Sequence, residues 1–266
     1  MRKGPVRRFL GWRWWRGWRG WLVFLVIASI LCTASGIWLA QTFSPSPVPW
    51  SKFPGVPQFS TDQILANETI EQLEPRVNAA MADIRIAITD EFGLEWVKVS
   101  TSRAVKESNR YHGQSLLNVW DSDTWQTIGT LRDESQKQLA VEIVGKIMKK
   151  NGFGDPRLLN IQGPDGVGEF GGYTLADQGL WLLSGAPPEV SRGSLNFKIL
   201  DLDQDRTGVL MAQSQADQSE FGWKPEYLSI SFHGDFMLSQ KDRAEFKKRA
   251  EPYRGHIAPN PGRNND

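Results

Sequence analysis

The chain has 266 residues, a formal net charge of +1 and one cysteine. A single thiol excludes an intramolecular disulfide framework and a zinc centre built from several cysteines. The charge is spread unevenly: residues 1–20 hold seven basic side chains and no acidic one, whereas the other 246 residues hold 24 basic and 30 acidic side chains. This acidic excess argues against nucleic acid as the partner of the main domain.

Residues 1–20 interleave arginine with tryptophan. Indole rings favour the headgroup zone of a bilayer, and guanidinium groups pair with anionic phosphates. We therefore expect a cytoplasmic segment whose partner is the anionic lipid headgroup. A simple interfacial anchor and a lipid-sensing or membrane-perturbing segment both fit this pattern.

Residues 21–40 read WLVFLVIASILCTASGIWLA and carry no charge. Twenty helical residues match the roughly 30 Å hydrocarbon core of a bilayer, so the stretch predicts a transmembrane helix. Only Lys52 is charged in residues 41–60, which predicts the N-terminus in the cytoplasm and the C-terminal domain outside. A cleaved signal peptide is the alternative, although the apolar stretch is longer than usual and Thr33-Ala34-Ser35 is a poor cleavage site.

Three further segments follow along the chain. Residues 41–57 contain five prolines, which predicts an extended, semi-stiff linker. Residues 58–252 are long enough for one domain with its own core. Residues 253–266 are polar and are predicted to be a disordered tail.

The first predicted helix of the domain runs from about Thr61 to Phe92. Ser60 or Thr61 is expected to cap its start, and Gly93 to end it. Pro75 predicts a break or kink inside the helix. Apolar side chains recur at steps of three and four residues, which is typical of one buried stripe. The stripe comprises Ile70, Leu73, Val77, Met81, Ile84 and Ile88.

The middle of the chain is predicted to combine short strands with a second main helix. Residues 102–114 are polar and predict a loop, and Arg132–Lys150 predicts the helix, whose C-terminal lysines suit the helix dipole. The strand candidates are Leu94–Thr101, Ser115–Trp120 and Trp125–Thr130, although residues 124–130 also fit an irregular approach to the helix. The side chains expected on the buried face of the helix are Leu139, Ile143, Val144, Ile147 and Met148.

The C-terminal half is rich in glycine and predicts short strands in hairpins. Gly163–Gly166 is predicted to be a turn, and Ser239–Ala250 a last, charged helix. The predicted strands are Leu158–Gln162, Gly171–Leu175, Leu180–Ser184, Ser194–Leu202, Val209–Gln213 and Tyr227–Phe232. Together, these elements predict an α+β domain in which an antiparallel sheet carries the two main helices on one face.

Asp201, Asp203 and Asp205 form a D-x-D-x-D pattern, which can present oxygen ligands to calcium. The remainder of an EF-hand loop is absent, because Arg206 stands at the turn glycine and Ala212 at the bidentate glutamate. We interpret the pattern as a solvated hairpin turn and predict no metal site.

The three histidines are His112, His233 and His256. His233 and Asp235 offer a pair for general-base chemistry with a serine, but no G-x-S-x-G motif accompanies them. Gly163–Gly172 has neither the spacing of a dinucleotide loop nor the Lys-Ser/Thr of a phosphate loop. We therefore interpret the histidines as loop residues and predict no catalytic residue and no cofactor.

A group of features resembles the small envelope proteins of actinobacteria, including the LppA-type lipoproteins. The features are Glu91-Phe92-Gly93-Leu94-Glu95-Trp96 after a long helix, Trp125 before a second helix, and Asn151-Gly152-Phe153 at its end, followed by a Gly-rich stretch. This likeness of spacing covers about residues 70–185. It implies an extracytoplasmic domain without an assigned activity and supplies no site residues. Cys32 departs from the pattern, because Leu31 stands where a lipidation site has a small residue, so an uncleaved helix is favoured over a lipid anchor.

The sequence thus predicts a single-pass protein of the bacterial cytoplasmic membrane that displays a non-enzymatic α+β domain outside the cell. The expected role is binding or support of an envelope protein partner. The alternative is a membrane-tethered hydrolase that uses His233 and Asp235.

Overall fold

The computed structural model describes residues 48–187 and 193–259. The predicted cytoplasmic segment 1–20, the predicted membrane helix 21–40 and the last seven residues of the predicted tail lie outside these ranges. Among the residues that the structure describes, no helix is both long and apolar enough to cross a bilayer.

The described chain contains six α-helices and eight strands. The α-helices are α1 (Thr61–Ala66), α2 (Ile70–Phe92), α3 (Glu134–Lys150), α4 (Pro164–Phe170), α5 (Val209–Phe221) and α6 (Arg243–Ala250). The strands are β1 (Trp96–Ser100), β2 (Arg103–Ser108), β3 (Gln114–Asp121), β4 (Thr124–Thr127), β5 (Arg157–Leu158), β6 (Leu180–Gly185), β7 (Gly193–Leu200) and β8 (Tyr227–Leu238).

The first predicted helix is divided in two, at a different place from the one predicted. Asn67 and Thr69 have extended backbone, and the Gln72 side chain accepts the Thr69 N–H at 2.9 Å, so a new helix begins at Ile70. This helix, α2, continues through Pro75. Of the break or kink predicted at the proline, the break was wrong, because side-chain capping interrupts the helix earlier and the buried stripe keeps it continuous afterwards. Gly93 ends α2 in a left-handed conformation, as predicted.

The strands form one antiparallel sheet in the order β1-β4-β8-β7-β6-β5. The long strand β8 also pairs with β3, which in turn pairs with β2. Two residues, Ser122 and Asp123, separate β3 from β4, and Thr101 and Ser102 separate β1 from β2. These two short connections between strands lie side by side. The Ser102 N–H of one donates to the Asp123 carboxylate of the other at 2.8 Å. We call this place the strand break.

The main core lies between one face of the sheet and helices α2 and α3. Alternate residues of β6, β7 and β8 enter this core, and residues that pair across strands share the same face. Ile84 of α2 and Val144 of α3 belong to the same buried cluster. The strand residues of the cluster include Trp181, Leu183, Phe197, Ile199, Leu228 and Ile230. The prediction of an α+β domain with helices packed on an antiparallel sheet is thereby confirmed.

The buried stripe of α3 differs from its prediction. Lys137, Ala140, Val144 and Met148 are buried, whereas Leu139 is exposed. These buried residues recur at steps of three and four, so the stripe runs along a face displaced toward Lys137. A lysine can occupy this buried face because its ammonium group pairs with the buried carboxylate of Asp201.

The second face of the sheet is covered in part by α5, which the sequence predicted as the strand Val209–Gln213. Leu210 of α5 packs against Leu200 of β7 and Tyr227 of β8, which lie on the face opposite the main core. Gly208 and Gly222, which both have a left-handed backbone conformation, flank the two ends of the helix. The helix extends well beyond the short apolar segment at its start. The strand prediction was therefore wrong.

Two further segments have a secondary structure that differs from the one predicted. Pro164 opens α4 at a position that needs no amide hydrogen, so the predicted turn is helical, and the predicted strand at residues 171–175 is absent from the described structure. The predicted loop at 102–114 contains the edge strand β2. Its charged, exposed residues show no apolar alternation, and its turn depends on Asn109, whose side-chain oxygen accepts the N–H groups of Tyr111 and Gly113.

The packed domain begins before the boundary predicted at residue 58. Phe53 and Val56 are buried, and the Asn109 side-chain amide donates to three carbonyl oxygens of residues 50–53. At the other end, Tyr253 is buried and its hydroxyl donates to the Pro49 carbonyl at 2.7 Å. The last part of the predicted linker and the first part of the predicted tail therefore belong to the folded domain. Their aromatic side chains, Phe53 and Tyr253, hold them to it.

Candidate functional site

The only histidine held by two acidic partners among the described residues is His233, in the middle of β8. Its Nδ1 lies 2.7 Å from the Asp121 carboxylate, and its Nε2 lies 3.2 Å from the Asp235 carboxylate. Asp235 follows His233 by two residues and so shares its face of the strand. Asp121 ends β3, which pairs with β8 at this level. The His233–Asp235 pair that the sequence offered as an alternative is formed, together with Asp121, which the sequence did not indicate. The interpretation of His233 as a loop residue was wrong, because it lies within β8.

A fourth charged residue completes the group. Arg103 of β2 contacts the other oxygen of Asp121 at 3.1 Å. Beside it, Lys98 of β1 pairs with Asp123 at 3.2 Å. We refer to Arg103, Asp121, His233 and Asp235 as the charged cluster. It lies at the strand break, where the regular pairing of two neighbouring strands is interrupted and side chains from three strands converge.

The pKa of His233 is raised above its ordinary value. Burial alone lowers this pKa, but the hydrogen bond to Asp121 and the charges of Asp235 and Asp121 together raise it further than burial lowers it. The geometry therefore favours the imidazolium, in which both ring nitrogens donate. A general base needs a neutral ring nitrogen that faces its substrate or nucleophile. His233 is instead arranged to hold a positive charge between two carboxylates.

A cleft of about 340 Å³ opens beside the charged cluster on the second face of the sheet. Phe221, the last residue of α5, and Trp223, two residues later, form its aromatic wall, with ring centroids 5.5 Å apart. Arg103, Asp121 and His233 form a charged wall of the same cleft. The remaining lining residues are Val99, Ser100, Thr124, Ser231 and Phe232. We call this the His233 cleft.

Two serines line the His233 cleft, but neither completes a catalytic triad in the described structure. Ser100 donates to the Thr101 carbonyl, and the side-chain hydrogen bonds and ion pairs of His233 within the described ranges are to carboxylates. Asp235 is outside the cleft lining. A triad needs the histidine between a serine and one carboxylate, whereas here a second carboxylate occupies the place of the serine.

The three aspartates of the D-x-D-x-D pattern have separate roles. Asp201 is fully buried and pairs with Lys137 at 2.7 Å and also with Arg132. Asp203 contacts Arg132 from the surface, and Asp205 accepts backbone N–H groups at the start of α5. Within the described residues, no cluster of three histidine, cysteine or acidic side chains is arranged to hold a metal ion. The interpretation as a solvated hairpin turn was wrong, since Asp201 is the acceptor of a buried ion pair and a helix follows.

The other candidates from the sequence contribute no site. His112 is exposed in the turn between β2 and β3, and His256 is exposed after Tyr253. Gly163–Gly172 contains the short helix α4. Sequence reasoning missed Arg103, Asp121, Phe221 and Trp223, because they meet His233 through strand pairing and helix placement over separations of about ten to 130 residues.

His233→Gln is expected to reduce the dependence of domain stability on pH. Because the folded-state pKa lies above the ordinary value, protonated His233 stabilises the fold below about pH 6.5, and this contribution is lost as the pH rises through the folded-state pKa. The side chain is half exposed, so we expect less than about 1 kcal/mol.

Thermal melts of wild type and His233→Gln, over a range of about pH 6 to 9, measure this contribution. The two melting temperatures should differ most at the acidic end and converge as the pH rises. His256→Gln, at an exposed histidine outside the cluster, is the control and should follow wild type throughout. A difference between wild type and His233→Gln that stays constant across the range would contradict the assignment.

Comparison with family models, with curated proteins and with solved structures finds no match to this chain. The resemblance to actinobacterial envelope proteins accordingly stays a prediction from the sequence.

Proposed function

We propose that the protein is a single-pass membrane protein that presents its α+β domain outside the cytoplasm as a binding module, with the His233 cleft as its binding site. The membrane part of this proposal rests on residues 21–40, which are mostly apolar and carry no charge, and on the seven basic residues that precede them. The binding part rests on the geometry of the cleft.

The observation that carries the binding role is the position of His233 between two carboxylates. Both of its ring nitrogens contact carboxylates. The residue therefore holds the carboxylates of Asp121 and Asp235 in place and is poorly suited to transferring a proton. The aromatic wall supports the same role. Phe221 is 53% exposed, and exposed aromatic rings beside hydrogen-bonding groups are common at recognition sites.

The partner that this cleft suits is an envelope protein. One wall offers apolar rings, and the other offers the donors of Arg103 and the acceptors of Asp121. Such a surface can bury an apolar side chain of the partner while the charged cluster hydrogen-bonds to its polar groups. The positive and negative members of the cluster neutralise one another, so binding does not require a highly charged partner.

The proposal predicts that Phe221→Ala weakens partner binding. Photo-crosslinking in intact cells, followed by purification of the full-length protein from detergent-solubilised membranes, measures the yield of any crosslinked partner. Truncating a ring at the centre of an interface typically costs about 1–3 kcal/mol, or roughly five- to 150-fold in affinity. Tyr173→Ala is the matched control, because Tyr173 is equally exposed at 55% and lies outside the cleft. Equal crosslinking in wild type, Phe221→Ala and Tyr173→Ala would refute the cleft as the binding site.

One observation favours the hydrolase as a second candidate: Ser100 and Ser231 line the same cleft as His233. This candidate requires a ring nitrogen of His233 to leave its carboxylate and activate a serine. A fluorophosphonate probe tests it directly, since such probes label activated serines. Labelling of wild type that is lost in Ser231→Ala or Ser100→Ala, and in His233→Gln, would establish the hydrolase. The binding module predicts no labelling of any of these proteins.

A further inference from the structure

The C-terminal helical region has the opposite charge to the rest of the domain. Residues 241–254, which include α6, hold six basic and three acidic side chains, although the chain after residue 20 is acidic overall. Lys241, Lys247 and Lys248 are exposed, and the described structure gives them no acidic partner. This region therefore forms a basic surface, which we call the α6 face.

A groove on the α6 face holds two cations without acidic partners. The Arg243 guanidinium donates to the carbonyl oxygens of Leu65 and Asn67, which are neutral acceptors. Lys247 lies one helical turn later on the same side of α6 and lines the same groove. The acid in the groove, Asp62, is already paired with Arg254 at 3.1 Å. Two neighbouring positive charges thus remain to attract an anion.

The α6 face is also where the chain enters the domain. Tyr253 donates to the Pro49 carbonyl, and Arg249 to the Lys52 carbonyl. The predicted membrane helix ends at Ala40, eight residues before Val48. At about 3.5 Å per residue, this stretch of chain can extend no more than about 28 Å. Ile257, four residues after Tyr253, is 92% exposed and offers an apolar side chain close in sequence to this surface.

From these observations we infer that the α6 face docks on the outer surface of the membrane by binding anionic phospholipid headgroups. A headgroup phosphate would take the position between Arg243 and Lys247, with the neighbouring exposed lysines facing the lipid surface. Because the remainder of the domain is acidic, an anionic membrane repels its other faces and attracts this one. The inference rests on the proposed function, since it requires the domain to be tethered at a membrane.

Lysine labelling of the full-length protein in lipid nanodiscs tests this inference. An amine-reactive reagent followed by mass spectrometry reports the accessibility of each lysine. In discs with phosphatidylglycerol, labelling of Lys241, Lys247 and Lys248 should fall roughly tenfold relative to discs of phosphatidylcholine alone, since each cation near an anionic surface favours the docked state about fivefold. Lys146 and Lys150 of α3, whose side chains are about three quarters exposed, are internal controls and should label equally in both discs.

Lys247→Glu is the matched variant. It places an acid at an exposed position of the groove, so it should restore labelling of Lys241 and Lys248 in anionic discs without unfolding the domain, and added salt should do the same. Equal labelling of wild type in both lipids would overturn the docking inference and leave the membrane proposal standing. Protection in phosphatidylcholine discs as well would also overturn it, because a protein–protein contact would then cover the face. If the chain does not insert into discs, the membrane proposal fails and the docking inference with it.

Discussion

Ile84→Asp should unfold the domain or lower its free energy of unfolding by about 4 kcal/mol or more, because it places a carboxylate in a closely packed apolar core. Ile84 is completely buried in the middle of α2. The substitution removes an apolar side chain from the main cluster and introduces a charge for which the cluster offers no partner. Urea denaturation followed by far-UV circular dichroism measures the change.

Ile86→Asp is the matched control on the same helix. Ile86 lies two residues further along α2 and is 61% exposed, so the same substitution should change the free energy of unfolding by no more than about 0.5 kcal/mol. Equal effects of the two substitutions would show that α2 does not present the predicted stripe to the sheet.

Asp201→Asn should lower the free energy of unfolding by about 3–5 kcal/mol, because it leaves a buried lysine without its counter-charge. Lys137 and Asp201 are almost fully buried and lie 2.7 Å apart. Arg132 keeps a partner in the variant, since it also binds Glu226. In the described structure Lys137 keeps no acidic partner within salt-bridge distance, since its remaining interactions are with the Trp181 ring at 6.0 Å and with the more distant charge of Asp133.

Glu142→Gln is the control for this prediction. Glu142 forms an exposed pair with Lys146 on the surface of α3, and exposed pairs contribute little to stability because solvent screens them. Urea denaturation should therefore give nearly the same midpoint for Glu142→Gln and wild type, and a much lower midpoint for Asp201→Asn. Similar midpoints for the two variants would mean that the Lys137–Asp201 pair does not fix α3 to the sheet.

The spacing of apolar residues in the sequence predicted those helices and strands whose apolar side chains are also the buried ones. The stripe of α2 was predicted residue by residue, and Leu228, Ile230 and Phe232 of β8 alternate into the core as expected. The α5 helix was not predicted, because its four apolar starting residues fit a strand as well as a helix. The edge strand β2 was not predicted, because an exposed, charged strand carries no alternating apolar signal.

The candidate site was predicted only in its local part. His233 and Asp235 are neighbours on one strand, so their pairing follows from the alternation of side chains. Asp121 lies beside His233 because β3 pairs with β8. The register of that pairing cannot be predicted from the sequence of either strand alone. The aromatic wall depends on where α5 lies on the second face of the sheet, and the sequence had not predicted that helix.

Protease digestion of intact spheroplasts that carry epitope tags at both ends of the protein tests the central claim most directly. Seven basic residues precede residues 21–40, and Lys52 alone follows them up to residue 60. Each cation near anionic lipid gains about 1 kcal/mol, and its transfer against the membrane potential costs about 2.3 kcal/mol per 100 mV. One orientation should therefore dominate. Added protease should remove the C-terminal tag and spare the N-terminal tag, and the protected fragment should stay in the membrane pellet after an alkaline wash. A protected C-terminal tag, or a soluble protein that starts near Gly36, would contradict the account.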